Sequence, residues 1–380
     1  MTCGVYIHVP FCRRKCDYCG FYSVAGMLDP DGRVPGAYLE RLDKEIGERL
    51  PAAGVSSADT VYFGGGTPSL CSSADIARVL ERVSGLVQLL PGAEVTLEMN
   101  PDDVSAPLLA GLRDAGVTRV VLGIQTLSAR LSALIGRSSG PCTERQLEIF
   151  FSARGLDLCA DLIGGIPTQR VEELHYDIDT VAGYRPKHIS AYLLSIEKKT
   201  PLGARMTPDN AFEAEQAELF EVMMTGLAGH GYVQYEISNY ALPGFESRHN
   251  MKYWRFDPYI GFGPGAHSFI GGERYVNAMG LDDYIHSEEA AIVRDERTAR
   301  AAPVEYLMTG LRLMRGVSLL EMEERLAFQV PAAVMERIES AASAGLAAIG
   351  GSGNDVTVSL TRRGVLLADA VIYRIVEALL

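Results

Sequence analysis

The chain has 380 residues, 47% of them apolar and 22% charged, with 48 acidic against 35 basic side chains and a formal net charge of −13. This composition excludes a wholly disordered chain, and the acidic balance argues against a general binder of phosphate backbones, which needs a basic face. No apolar run reaches the ~18–20 residues of a membrane-spanning helix, and the N-terminal stretch lacks the charged and long apolar regions of a secretory leader.

Seven cysteines, three of them within eight positions, do not read as a disulfide framework, and a reducing cytoplasm is the expected setting. In chain order, strands are predicted over 3–10, 59–64, 94–100, 119–125, 156–163 and 188–194. Helical spacing of apolar residues lies between them, over 37–49, 73–86, 105–115 and 171–182. In the second of these, Ile76, Val79, Leu80 and Val83 follow a serine cap. Repeated strand–helix units imply a parallel sheet, and the lack of a GxGxxG turn favours a partial or full (β/α) barrel over a dinucleotide fold. Residues 208–229 form a long amphipathic helix, and 232–269, dense in Gly, Pro, aromatics and His, reads as an ordered functional loop region. The charged, Ala-rich stretch 288–302 marks a boundary. Beyond it, short helices, a strand pair about the GGSGND turn and a last helix from Thr361 suggest a small winged-helix-like module.

Cys12, Cys16 and Cys19 form C-x3-C-x2-C directly after the first strand. Thiolates are soft ligands for iron–sulfur clusters or zinc. Structural zinc prefers four closed ligands in paired motifs, and here a single triple stands without a matching partner. Three cysteines on one loop suit three irons of a [4Fe–4S] cube with the fourth iron open. Gly64-Gly65-Gly66-Thr67-Pro68 ends the second strand, where a missing Cβ lets backbone approach a ligand. Glu98 and Asn100, Gln125 and Asp161 are polar residues at later strand ends, and Arg137 fits a carboxylate clamp. Further on, Arg248-His249-Asn250-Met251-Lys252-Tyr253-Trp254-Arg255 combines a metal ligand, aromatics and cations. That set suits a porphyrin, with Arg248, Lys252 and Arg255 available to propionates. On composition alone, a core aromatic cluster with a satisfied histidine explains the same residues.

The triple, with Tyr18 before its last cysteine, resembles the radical S-adenosylmethionine (SAM) superfamily. The further motifs Y-I-H-V-P-F-C, F-G-G-G-T-P-S, E-M-N-P, Y-E-I-S-N-Y-A, R-H-N-M-K-Y-W and G-P-G-A-H-S resemble its HemW-type haem chaperones, relatives of the oxygen-independent coproporphyrinogen III oxidases (the HemN type). The resemblance spans almost the whole chain. It implies an α/β fold with a partial (β/α)6 barrel over about 1–200, a connecting region with the haem motif over 201–290, and a HemN-like, winged-helix-like domain over 291–380.

The resemblance further implies a [4Fe–4S] cluster on Cys12, Cys16 and Cys19. SAM is expected at Tyr6, Tyr18, Gly65, Gly66, Thr67, Glu98, Gln125, Arg137 and Asp161, and haem at His249, Tyr253 and Trp254. The implied function is binding haem and passing it to a respiratory haem protein, in the cytoplasm, with peripheral membrane contact at most, no nucleic acid, and a homodimer compatible with it. The alternative is coproporphyrinogen III oxidation to protoporphyrinogen IX. Against it, the oxidases carry a fourth cysteine where this chain has Phe21, and a longer extension than the eleven residues before Cys12. One departure from the HemW pattern is Arg137-Ser138-Ser139, where a histidine usually follows the arginine.

Overall fold

A computed structural model describes residues 1–137, 140–288, 292–294, 301–352 and 355–380. Ser138 and Ser139, and most of the boundary predicted over 288–302, lie outside the described residues. The chain forms two compact units, Met1–Gly231 with Pro258–Asp295, and Tyr232–Asp257 with Glu296–Leu380. The segment 201–290 contributes to both.

The first unit is built on six parallel strands, Thr2–Val9, Ser57–Gly65, Gln88–Met99, Arg119–Gln125, Asp157–Gly164 and His188–Leu193, each paired with the next in chain order. Strict neighbour order is what repeated strand–helix units produce when every crossover lies on the same side, the geometry of an open barrel. Tyr259–Phe262 adds a further parallel strand beside the first, and His267–Ile270, Glu273–Asn277 and Ile292–Arg294 extend that edge antiparallel.

Side chains alternate across each strand. Val5, Ile7, Val61, Phe63, Val95, Leu97, Val120 and Leu122 are buried on the outer face. The helix Ser73–Leu86 shows why its sequence is helical. Ser72 accepts from the Asp75 amide in a capping box, and Ile76, Val79, Leu80 and Val83 are all buried along one stripe. Each contributes about 1.5–3 kcal/mol relative to exposure. The helix predicted from 208 begins at Asn210 and is capped by Asp209.

The opposite faces of the strands carry Tyr6 and His8, Tyr62, Glu98, Gln125, Asp161 and Ser190. Contacts link them across neighbouring strands. Tyr6 stacks on Tyr62 at 6.1 Å, Tyr62 donates to Glu98 at 2.7 Å, and Ser190 donates to Asp161. The barrel therefore has an apolar outside and a polar inside.

In the second unit, a hairpin of Val233–Glu236 and Asn239–Ala241 precedes the short helix Arg248–Trp254. Helices Ala301–Gly310, Leu319–Leu326, Ala332–Ser343, Arg362–Leu366 and Ala368–Val376 accompany a three-stranded sheet of Val317–Ser318, Asp355–Leu360 and Ala347–Ser352. Leu307, Met322, Val334, Ile338, Val358 and Ile375 make its core. The stretch 232–269, expected to be loop, holds four short strands and a helix instead. Each of these five elements is of seven residues or fewer, too short for a hydrophobic period to show.

Candidate functional site

The first unit carries a cavity of about 430 Å³ at the C-terminal ends of the strands. Cys12, Cys16 and Cys19 line it together, all three free and half-buried. Their loop is fixed from several directions. The Asp17 amide donates to the Ile135 carbonyl at 3.0 Å, the Asp17 carbonyl accepts from Leu202 at 2.8 Å, and the Asp17 carboxylate pairs with Arg205 at 2.6 Å. Arg13 pairs with Asp103 at 2.8 Å, and the Lys15 ammonium donates to the Phe21 carbonyl at 2.9 Å. Tyr18 lines the cavity and packs on Leu131, Ile135, Ile163, Ile166, Leu194 and Leu202.

Burial pushes the Cys16 and Cys19 thiols up. For Cys16, Arg137 opposes that rise; for Cys19, a backbone hydrogen bond at Phe21 and Lys15 do so. Three thiol donors from one loop, with no fourth protein ligand beside them in sequence, are a donor set that fits three irons of a cube with the fourth iron open.

Gly65 and Gly66 lie where a side chain has no room. A Cβ on Gly66 would fall 2.6 Å from the Phe11 carbonyl oxygen, and one on Gly65, at φ +110°, would fall 2.6 Å from the His8 ring. Thr67 donates to Cys12 Sγ at 3.5 Å and accepts from Asn100 Nδ2 at 2.9 Å, while Asn100 Oδ1 accepts from Arg137 at 3.5 Å. Arg137 is 6% exposed and also donates to the Gly123 carbonyl. One hydrogen-bonded chain thus joins the fourth-strand helix region to a cluster-loop cysteine. Asn100 is its central link, visible in sequence only as a polar strand end.

Two carboxyl groups share the cavity. Burial raises Glu98 to about 7, assisted by Asp161 and opposed by the Tyr62 hydrogen bond. Burial also raises Asp161 to about 6, against Ser190, Arg119 and Arg137. Among the described residues, Asp161 Oδ1 has no hydrogen-bond partner. Gln125 reaches the cavity from a left-handed backbone at φ 68°. Such an arrangement offers acidic groups to a cation, a guanidinium to a carboxylate, and bare backbone to a close-fitting ligand.

Of the nine residues expected at SAM, eight line this cavity. Tyr6 stands one layer back, stacked on Tyr62 and bonded through its hydroxyl to His8 Nδ1 at 3.0 Å. Tyr192, Leu194 and Glu197, at and beyond the end of the sixth strand, also line it and were not singled out from sequence. Their signal was position alone, the end of a strand whose neighbours all contribute.

His249, Tyr253 and Trp254 lie in the second unit, on the helix capped by Ser247. His249 is fully buried, its Nε2 lies 3.0 Å from the Tyr253 hydroxyl, and burial lowers it to about 3. It is thus a neutral, hydrogen-bonded core histidine in this conformation. Of the three cations expected beside a porphyrin, Lys252 is buried while Arg248 and Arg255 are exposed.

Residues 6–181 match the Radical SAM superfamily. The heme chaperone HemW of Bacillus subtilis is 32% identical over 382 residues, covering 97% of each chain. HemW of Mycobacterium tuberculosis is 34% identical over 387 residues, covering 97% of this chain and 93% of its own. In fold, the chain is similar to the coproporphyrinogen III oxidase HemN of Escherichia coli, with a TM-score of 0.80 at 21% identity over 100% of this chain and 89% of that one. The chain belongs to the HemW family of the radical SAM superfamily.

Proposed function

We propose that this chain is a haem chaperone: it holds a [4Fe–4S] cluster on Cys12, Cys16 and Cys19 with SAM beside it, binds haem at the 249–254 motif, and passes it to a respiratory haem protein. The observation that carries this reading is similarity over nearly the full length to proteins named heme chaperones, 32% and 34% identical. When bound, the cluster and SAM would supply one-electron chemistry at an iron that no protein thiolate occupies.

The chain's own residues do the positioning. Thr67 holds Cys12 Sγ through its hydroxyl, and Asn100 holds Thr67. The backbone at Gly65 and Gly66 lets a ligand approach without a Cβ between them. With SAM bound, Glu98 and Asp161 would meet its cationic groups, Arg137 its carboxylate, and Tyr18 and Gln125 its adenosine, since all five line the cavity. The Asp161 oxygen without a protein partner fits a site completed by a cationic ligand. We place the protein in the cytoplasm on its cysteine usage, with its recipient met at a membrane face. Among the described residues no helix is long and apolar enough to cross a membrane.

Phe21, 71% exposed at the cavity rim, stands where the resembling oxidases have a cysteine, which favours chaperone over decarboxylase. The deciding experiment reconstitutes the cluster anaerobically, adds SAM, a strong reductant and coproporphyrinogen III, and quantifies 5′-deoxyadenosine and porphyrin products by mass spectrometry, beside a haem titration. Haem binding without porphyrin turnover is the expected result. Catalytic formation of protoporphyrinogen would overturn the chaperone reading.

A further inference from the structure

The second unit contains its own cavity of about 180 Å³, walled by Trp254, Arg255, Tyr306, Arg315, Ser318 and Glu321 among others. It is too small for a whole macrocycle, since sites that enclose a drug-sized ligand run to about 300–1,000 Å³. Its size suits a side arm. The lining residues include two arginines and one glutamate, a net charge of about +1 (2 − 1) in a chain whose formal charge is −13.

Both arginines are presented by fixed backbone. Arg325 donates to the Arg255 carbonyl at 2.7 Å and to the Phe256 carbonyl at 2.8 Å, and pairs with Asp257 at 2.8 Å. Those bonds clamp a turn in which Phe256 has φ 57°. Arg315 sits on a turn held on both sides, by the Met314 amide on the Tyr235 carbonyl at 3.0 Å and the Gly316 amide on the Leu313 carbonyl at 2.9 Å. Gly316 is in the left-handed region, where a Cβ would strike the Val358 carbonyl at 2.1 Å. With the backbone so restrained, neither guanidinium of Arg255 nor Arg315 makes a hydrogen bond or ion pair to a described residue. The acidic wall is already engaged, with Glu321 lying 3.8 Å from Arg325. Trp254, the last residue of the haem motif, forms a wall. Among the described residues its buried Nε1–H has no acceptor, and its ring is covered by the Arg312 guanidinium at 4.9 Å.

Resting on the haem-chaperone reading, we infer that this cavity is a carboxylate-anchoring subsite for the cargo, in which Arg255 and Arg315 hold one propionate while the macrocycle stays outside. Rigid forks of paired guanidinium donors are the chemistry that selects carboxylates. Neither Arg248 nor Lys252 lines the cavity, so Arg255 is the one motif cation assigned to it.

The test uses the full chain and two probes, haem and its dimethyl ester, whose propionates cannot ionise. Binding is followed by the Soret band and by quenching of Trp254, the single tryptophan. The wild type should prefer the free acid by about tenfold. R255Q/R315Q should bring the free acid down to the ester's affinity and leave the ester unchanged. R374Q, exposed on the last helix and away from the cavity lining, is the control and should keep the preference. Equal affinities for acid and ester in the wild type, or a preference that survives in R255Q/R315Q, overturn the subsite while leaving haem binding standing. No saturable Soret change with either probe would overturn the haem reading itself.

Discussion

Replacing Glu98 with Gln removes a titrating group from the barrel interior and keeps an acceptor for the Tyr62 hydroxyl. Burial, aided by Asp161, raises the carboxyl from 4.5 to about 7. The folded chain therefore keeps a proton between those values that the unfolded chain has lost. In this window the unfolded state binds fewer protons, so stability falls as pH rises, and the loss levels off above about 7. At 1.36 kcal/mol per tenfold change in the protonation equilibrium, the rise from 4.5 to about 7 gives an upper bound of about 3–4 kcal/mol. Glu98 borders the cavity and keeps some solvent, so about 2 kcal/mol is expected. The assay is urea unfolding of the metal-free protein by far-UV circular dichroism at pH 5, 6, 7 and 8. E98Q should gain about 2 kcal/mol on the wild type between pH 5 and pH 8, and D161N should behave alike with a midpoint nearer 6. A stability difference between E98Q and wild type that is flat across this range would show that the carboxyl titrates normally, and the account of the polar barrel interior would be wrong.

Three shorter predictions follow from the same geometry. G66A should cost about 1–3 kcal/mol and weaken SAM binding at least tenfold, because its Cβ would meet backbone at 2.6 Å and 2.8 Å, whereas G85A, with open space around it, should leave binding intact; isothermal titration compares the two. Serine at Cys12, Cys16 or Cys19 should abolish bound iron in an iron and sulfide assay, while serine at the buried Cys71 should keep it. H249A should weaken haem affinity and leave iron content unchanged, with a stability cost of about 2–4 kcal/mol for the emptied core position and the lost Tyr253 bond; unchanged haem spectra and affinity would remove His249 from the haem site.

The six barrel strands were legible because each is a short apolar run ended by Gly, Pro, Asn or Gln, with a helical stripe between. Their boundaries shifted by a few residues. The third begins at Gln88, six residues before its predicted start, since Pro91 and Gly92 obscure the pattern where the strand is exposed. The cluster loop and the glycine turn were legible because their chemistry is local in sequence. The polar interior was only half legible. Glu98 and Asp161 stand out as acids in apolar strands and Tyr6 only through the family resemblance, but His8 and Tyr62 look like ordinary strand residues until neighbouring strands bring them together. Nothing in the period of the chain could show that Asn100 bridges Thr67 and Arg137, since that link depends on the register of three strands.

The 249–254 motif reveals a different limit. A histidine, a tyrosine and a tryptophan in one short segment read equally well as a haem face or as a packed core, and in the structure the segment divides between a buried core and the wall of a cavity. His249 and Tyr253 lie four residues apart, so on a helix they meet edge to face on one side and share a hydrogen bond. Trp254 and Arg255, at the helix end, turn to a different neighbourhood and wall a cavity with Arg315, which lies sixty residues further along the chain. A motif read as a single unit thus contains a buried strut and a presenting edge. For haem iron to meet His249, the imidazole would have to leave Tyr253 and come out of a fully buried position. Carboxylates at Arg255 and Arg315 require no such rearrangement. The order of events that follows from this difference is that the propionate edge docks first, and any iron ligation by the motif comes after an opening of the helix. A stopped-flow record of haem binding should then resolve a fast, salt-dependent phase before a slower spectral change at the iron. In R255Q/R315Q the first phase alone should weaken, and in Y253F the second alone should accelerate, because the imidazole is released from its partner. If Y253F leaves the slow phase unchanged, His249 does not have to break away from Tyr253 for iron to be ligated.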